Sequence, residues 1–211
     1  MNFNMEKPIF ITGIGTDVGK TIVSAVLVEK FKTDYWKPVQ SGDLANSDTI
    51  KVQSLVSNTR SVFHPEAYRL TQPFSPHKSA DLDKIAIKLD GFVLPQTTNR
   101  LIIEGAGGLM VPLNNKDMII DLIKKLDAEV VLVSRNYLGS INHTLLSVDA
   151  LITRGINIKA IVFNGDTDNY TEDIIQSKLP KNTTVVRISD IGTVNKETIL
   201  NAAGQMVFDE F

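Results

Sequence analysis

The chain has 211 residues, 43% of them hydrophobic and 22% charged, and 24 acidic against 22 basic side chains leave a net charge of −2. That near-neutral balance argues against a nucleic-acid or anionic-membrane surface. The lack of cysteine excludes disulfides, thiolate metal sites and a cysteine nucleophile. No apolar run is long enough to span a bilayer, and Met1 to Lys7 lack the apolar stretch of a secretory leader, so a cytoplasmic location is the expectation.

The apolar run Pro8 to Thr12 is short and β-branched, and reads as a buried strand. It leads into Gly13-Ile14-Gly15-Thr16-Asp17-Val18-Gly19-Lys20-Thr21, followed by a helix over 21–31 with an apolar stripe through Ile22, Val23, Val26, Leu27 and Phe31. Strand, glycine-rich turn ending in GKT, then helix is the setting of a phosphate-binding loop. The glycines let several N–H groups point at one anion, and the helix N-terminus adds further donors. Lys20 reaches the β- and γ-phosphates of a nucleotide in this reading, and the Thr21 hydroxyl binds Mg²⁺.

A second strand is expected over Tyr35 to Gln40 and carries Lys37, which faces either solvent at an edge or an anion. A short helix near 49–56 follows, with Asp48 at its start as a dipole-favoured carboxylate or a Mg²⁺ ligand. The stretch 58–96, rich in proline, is the least regular, with one helix expected at 81–89. Arg100 to Glu104 reads as a strand that ends at Gly105-Ala106-Gly107-Gly108. Glu104 stands there as the acid that meets Mg²⁺, and the glycines allow close approach of a ligand. Thr21, Asp48 and Glu104 together form a metal shell.

Helices are expected near 118–126, 141–154, 172–179 and 196–208, alternating with strands at 129–134, 158–163 and 184–188. This order predicts one α/β domain over residues 1–211, of the P-loop NTPase type, with a mostly parallel sheet covered by helices on both faces. Ligands then bind at the carboxyl ends of the strands. Gly139-Ser140-Ile141-Asn142 starts a helix, either simply capped or binding a carboxylate. Asn164 follows a strand in Asn164-Gly165-Asp166-Thr167, as a turn residue or a reader of adenine.

These blocks, in this order, resemble dethiobiotin synthetase, the ATP-dependent carboxylase family that closes a ureido ring. The loop GIGTDVGKT is similar to the family's GTDTxVGKT, with Ile14 and Gly15 replacing Thr and Asp. KPVQSG from Lys37, Asn46-Ser47-Asp48, Pro73-Phe74-Ser75-Pro76-His77, EGAGG from Glu104 with Pro112, and Gly139 to His143 complete the match. The resemblance implies that 7,8-diaminononanoate takes up CO₂ (or bicarbonate) as a carbamate. The carbamate is phosphorylated by MgATP, and the second amine closes the ring with release of phosphate.

It further implies that Gly15, Thr16, Asp17, Val18, Gly19, Lys20 and Thr21 hold ATP. Lys37, Lys20 and Thr16 serve catalysis, and Lys37, Ser41, Pro73 and Gly107 contact substrate. Asn164 reads adenine, with Ser189 and Ile191 flanking it and Glu104 meeting the metal–nucleotide. Gly139, Ser140, Ile141 and Asn142 of a partner subunit hold the substrate's carboxylate in a homodimer whose active site lies at the interface. The competing reading is a nucleotide-switch ATPase of the ParA or MinD kind. Such loops carry an extra lysine near their start, which is absent here.

Overall fold

In the computed structural model, which describes residues 6–208, the chain folds around strand β1, Ile9–Gly13. Residues Met1 to Met5, part of the segment read above for a leader, lie outside the described residues. β1 is central in a seven-stranded sheet. On one side it pairs with β6 (Leu101–Gly108), followed outward by β2 (Asp34–Trp36) and β4 (Phe63–His64). On the other it pairs with β7 (Glu129–Ser134), then β8 (Ile158–Asn164) and β9 (Thr184–Ile188). Every pairing in this sheet is parallel. A second, two-stranded parallel sheet joins β3 (Val39–Ser41) to β5 (Tyr68–Leu70).

The period of two along each strand distributes apolar side chains to both faces. Phe10, Ile103, Val130 and Leu132 pack on one side with Ile119, Leu122 and Ile123 of α4 (Ile119–Lys125) and Val148 and Leu151 of α5 (Ser140–Thr153). Ile9, Ile11, Ile102, Val131 and Val133 pack on the other with α1 (Lys20–Phe31), Val52 of α2 (Asp48–Leu55) and Ile199 of α7 (Lys196–Gln205). Ile161 and Phe163 meet Ile175 of α6 (Asn169–Gln176) in a small separate cluster. Full burial of each such aliphatic side chain contributes roughly 1.5–3 kcal/mol.

Several elements depart from the sequence expectations. The run Tyr35 to Gln40 is not one strand: β2 stops at Trp36, Pro38 follows, and β3 pairs with β5 instead of the main sheet. Lys37 therefore lies between two strands, just past the carboxyl end of β2. α1 has no simple apolar stripe, because Val23 through Glu29 are all buried beneath α2, α7 and the sheet. The proline-rich stretch is more ordered than expected, with β4, β5 and α3 (Pro76–Asp83) in place of a helix at 81–89. Pro76 opens α3, where proline's fixed φ suits the first turn. α6 starts three residues ahead of its expected position, since Asp168 caps it by accepting from Thr171 N–H. α7 ends at Gln205.

Candidate active site

The first turn of α1 opens directly from the glycine loop. Gly19 has φ of 91°, and no side chain among the described residues caps the helix start. The Asn164 amide lies where a Gly19 Cβ would be and donates to Val18 O at 3.0 Å, so β8 is tied to the loop. Asp17 also takes a positive φ, 59°. Val18 is buried, with its side chain against Gly13, and offers the site only its backbone.

A cavity of about 480 Å³ lies at this end of the sheet. Thr16, Asp17, Gly19, Lys20 and Thr21 from the loop and α1 line it, with Lys37, Ser41, Asp48, Pro73, Glu104 and Gly107 from four other segments. Eleven residues named from the sequence thus share one wall. Gly15 lines an adjoining apolar pocket of about 310 Å³ with Thr16. Ser189 and Ile191 belong to a separate cleft of about 630 Å³ between the end of β9 and α7. Gly139, Ser140, Ile141 and Asn142, at the start of α5, are not part of the 480 Å³ cavity wall of their own chain.

Glu104 is the hub, and it lies inside β6 rather than at its end, because the strand continues through the glycines to Gly108. It is 1% exposed. Its Oε1 accepts from Thr21 Oγ1 at 2.9 Å and Lys37 Nζ at 3.1 Å. Its Oε2 accepts from Ser24 Oγ at 2.8 Å and Tyr35 OH at 2.9 Å. A buried carboxylate is sustained by such a full set of donors. Gly105 owes its identity to packing, since a Cβ would strike the Phe10 ring, whereas Gly107, at φ 69°, faces the cavity.

Lys37 is 4% exposed, which rules out the solvent-facing edge lysine. Its ammonium bridges Asp48 Oδ2 at 2.7 Å and Glu104, and donates to Gly105 O at 3.1 Å. Burial pulls its pKa down, and Glu104 and Asp48 more than offset that, so the net direction is upward. Asp48 shows the converse: burial raises it, and Lys37 leads the charges that bring it below the usual carboxylate range. Gln40 sets Asp48 in place, accepting from its backbone N–H at 3.1 Å while donating to Gly42 O at 2.9 Å. Lys20, donating to Gly15 O at 3.0 Å, has a lowered pKa from burial and then from the Lys37 charge. Two ammonium groups and an uncapped helix start face one cavity, an arrangement that suits a polyanion.

Ser41 Oγ is buried without a hydrogen-bond partner among the described residues, and Ser41 lines the same cavity. Ser24, Tyr35 and Gln40 escaped the sequence reading. The local hint is spacing alone, with Ser24 one helical turn after Thr21 and Tyr35 two residues before Lys37. Phe74, Ser75, Pro76 and Val111 complete the wall.

The glycine turn between β1 and α1, with Lys20, Thr21 and the buried acid Glu104, defines a P-loop nucleotide-binding protein, and residues 7–203 match the family described as AAA domain. In fold the chain is similar to a ParA family ATPase from Chlorobium tepidum, with TM-score 0.51 over 96% of this chain and 99% of that one. The 14% identity between them makes this a likeness of fold alone. Sequence relatives are far nearer. An ATP-dependent dethiobiotin synthetase BioD of Christiangramia forsetii is 56% identical over 88% of this chain and 89% of its own. One of Cytophaga hutchinsonii is 52% identical over 80% and 82%, and one of Chlamydia pneumoniae 42% over 90% and 81%. The chain belongs to the ATP-dependent dethiobiotin synthetase family.

Proposed function

We propose that the protein converts 7,8-diaminononanoate, CO₂ and ATP into dethiobiotin, ADP and phosphate. Beyond family membership, the observation that carries this reading is the convergence of Lys20 and Lys37 on one cavity that also holds the Ser41 hydroxyl, which has no hydrogen-bond partner among the described residues. The extra lysine of a ParA- or MinD-type switch stands in the loop itself, whereas here the second lysine, Lys37, comes from beyond β2 and shares the cavity with Pro73 and Phe74.

In this reading one amine adds to CO₂ and loses a proton, giving a carbamate. A carbamate oxygen takes the γ-phosphoryl group of ATP, and ADP leaves. The second amine then forms the ring C–N bond as phosphate departs. Negative charge develops on carbamate and phosphoryl oxygens throughout, and the loop N–H groups, Lys20 and Lys37 are the donors fixed to meet it. Thr16 and Asp17 border the reacting end, and Ser41 donates its free hydroxyl to the substrate. No covalent bond to the enzyme is required, in keeping with the absence of cysteine.

The donors Thr21 Oγ1, Asp48 and Glu104 suit Mg²⁺, which takes one or two carboxylates beside phosphate oxygens and water. Mg²⁺ bound with the nucleotide neutralises charge on the β- and γ-phosphates. Asn164 and the segment carrying Ser189 and Ile191 take the adenine side. Residues 1–211 act as one domain in the cytoplasm, paired as a homodimer with the active site at the interface. Support for the dimer comes from exposed Leu138, Ile141, Leu146 and Met110 around the start of α5, with Met110 and Leu146 bordering the pocket that adjoins the loop. Gly139 to Asn142 then meets the carboxylate of substrate held by the partner.

The test is carbon transfer. With ¹³C-bicarbonate, ATP and 7,8-diaminononanoate, the purified protein should yield a cyclic urea heavier by one mass unit, detected by mass spectrometry. No incorporation under conditions where ATP binds would refute the assignment.

A further inference from the structure

The two oxygens of Glu104 are treated differently. Oε2 receives both Ser24 and Tyr35 hydroxyls, at 2.8 and 2.9 Å, deep beneath the cavity. Oε1 receives Thr21 and Lys37, the groups that line the cavity. Both oxygens carry two donors, which fills their in-plane lone pairs, but the pair on Oε1 faces the cavity, where a ligand can displace it, whereas the pair on Oε2 lies behind the cavity wall. Ser24 and Tyr35 are themselves fully buried, and Tyr35 packs against Phe63 with ring centroids 6.1 Å apart, so neither donor has room to drift.

We propose that Tyr35 and Ser24 are positioning residues that restrict Glu104 to one metal-facing oxygen, Oε1, and so favour Mg²⁺ over Ca²⁺ at this site. Mg²⁺ demands near-octahedral geometry with single oxygens at short distance, whereas Ca²⁺ accepts a two-oxygen carboxylate at longer distance. Locking Oε2 away penalises the second mode. This deepens the functional reading above and rests on Glu104 facing the metal.

The experiment measures metal-supported ADP binding by titration calorimetry, with MgCl₂ and with CaCl₂, for the native protein, Tyr35→Phe, Ser24→Ala and the double variant. Tyr35→Phe keeps the ring packed on Phe63 and removes only the hydroxyl; Ser24→Ala is the smaller perturbation should the first fold poorly. The ratio of Ca²⁺-supported to Mg²⁺-supported affinity should rise about tenfold in the double variant, the scale expected for an outer-shell partner, and by less in each single one. A changed melting temperature with an unchanged ratio would overturn the proposal and leave the hydroxyls purely structural. Glu104→Gln serves as the control. If it leaves the metal dependence of ADP binding intact, the metal reading of Glu104 falls and the proposal with it. If metal dependence needs Glu104 while the ratio ignores Tyr35 and Ser24, only the proposal falls.

Discussion

Lys37 Nζ sits 2.7 Å from Asp48 Oδ2, and the same ammonium reaches Glu104 Oε1 at 3.1 Å. The two carboxylates assigned to the metal are thus bridged by a lysine assigned to the substrate. Removing one member of a buried charge cluster leaves the others uncompensated. Lys37→Met should lower turnover by roughly 10²-fold or more, as for loss of one preorganised donor. It should also let Mg²⁺ alone raise the melting temperature more than in the native protein, because two bare carboxylates then face each other. Differential scanning fluorimetry across MgCl₂ concentrations checks this; equal metal response in both proteins would contradict it.

Glu104→Gln replaces an anionic ligand by a neutral one and turns two of the surrounding donors toward an amide. Activity should demand more Mg²⁺, with the apparent metal requirement rising by roughly 10-fold or more. A steady-state Mg²⁺ titration at saturating ATP reads it directly, and a superimposable curve would remove Glu104 from the metal site.

Gly19→Ala tests the loop. At φ 91° an alanine is strained, and its Cβ would collide with the Asn164 amide that anchors β8 to the loop. Strain of this kind costs on the order of 1–3 kcal/mol. Nucleotide affinity should fall sharply in an ADP titration, and urea unfolding should show the lower stability. Asn164→Ala makes room for the methyl group but leaves φ unfavourable, so it should restore only part of the loss in the Gly19→Ala background.

Asp34 predicts the acid limit of the fold. It starts β2, at the end of the sheet away from the cavity, and is 2% exposed. Burial raises its pKa, but donors from Thr97, the Val62 N–H, Asn99 and His64 more than offset this, and the net shift is downward. A carboxyl lowered in the folded state stabilises fully above its unfolded pKa of about 3.9. That stability is lost as pH falls through the folded value. Urea unfolding of the native protein should therefore weaken steeply below about pH 4. Asp34→Asn should be less stable at neutral pH, by roughly 1–3 kcal/mol for disrupted buried hydrogen bonds, and should show a flatter acid limb. Parallel pH curves for the two proteins would contradict this.

Much of the architecture could be read from apolar runs. β7 spans its apolar stretch as expected, because a central parallel strand is apolar almost throughout, while β9, at the sheet's edge and largely exposed, keeps its expected bounds with Val186 and Ile188 facing the core. The Lys20, Lys37, Asp48 and Glu104 cluster was also legible, since each stands in a short motif of unusual composition. What escaped was decided by tertiary contact. Nothing local says that Val39 to Ser41 leaves the main sheet for Tyr68 to Leu70, a pairing that carries Ser41 toward Pro73. β4 and β5 have two and three residues, too few for alternation to register. Ser24 and Tyr35 look like ordinary helix and core residues until β6 brings Glu104 beneath them.

The central claim is that nucleotide turnover here is coupled to a diamine. The most direct measurement is ADP release by the pure protein with MgATP and bicarbonate, with and without 7,8-diaminononanoate. The account predicts release that depends on the diamine and matches cyclic urea formed, one for one. Turnover indifferent to the diamine would contradict it.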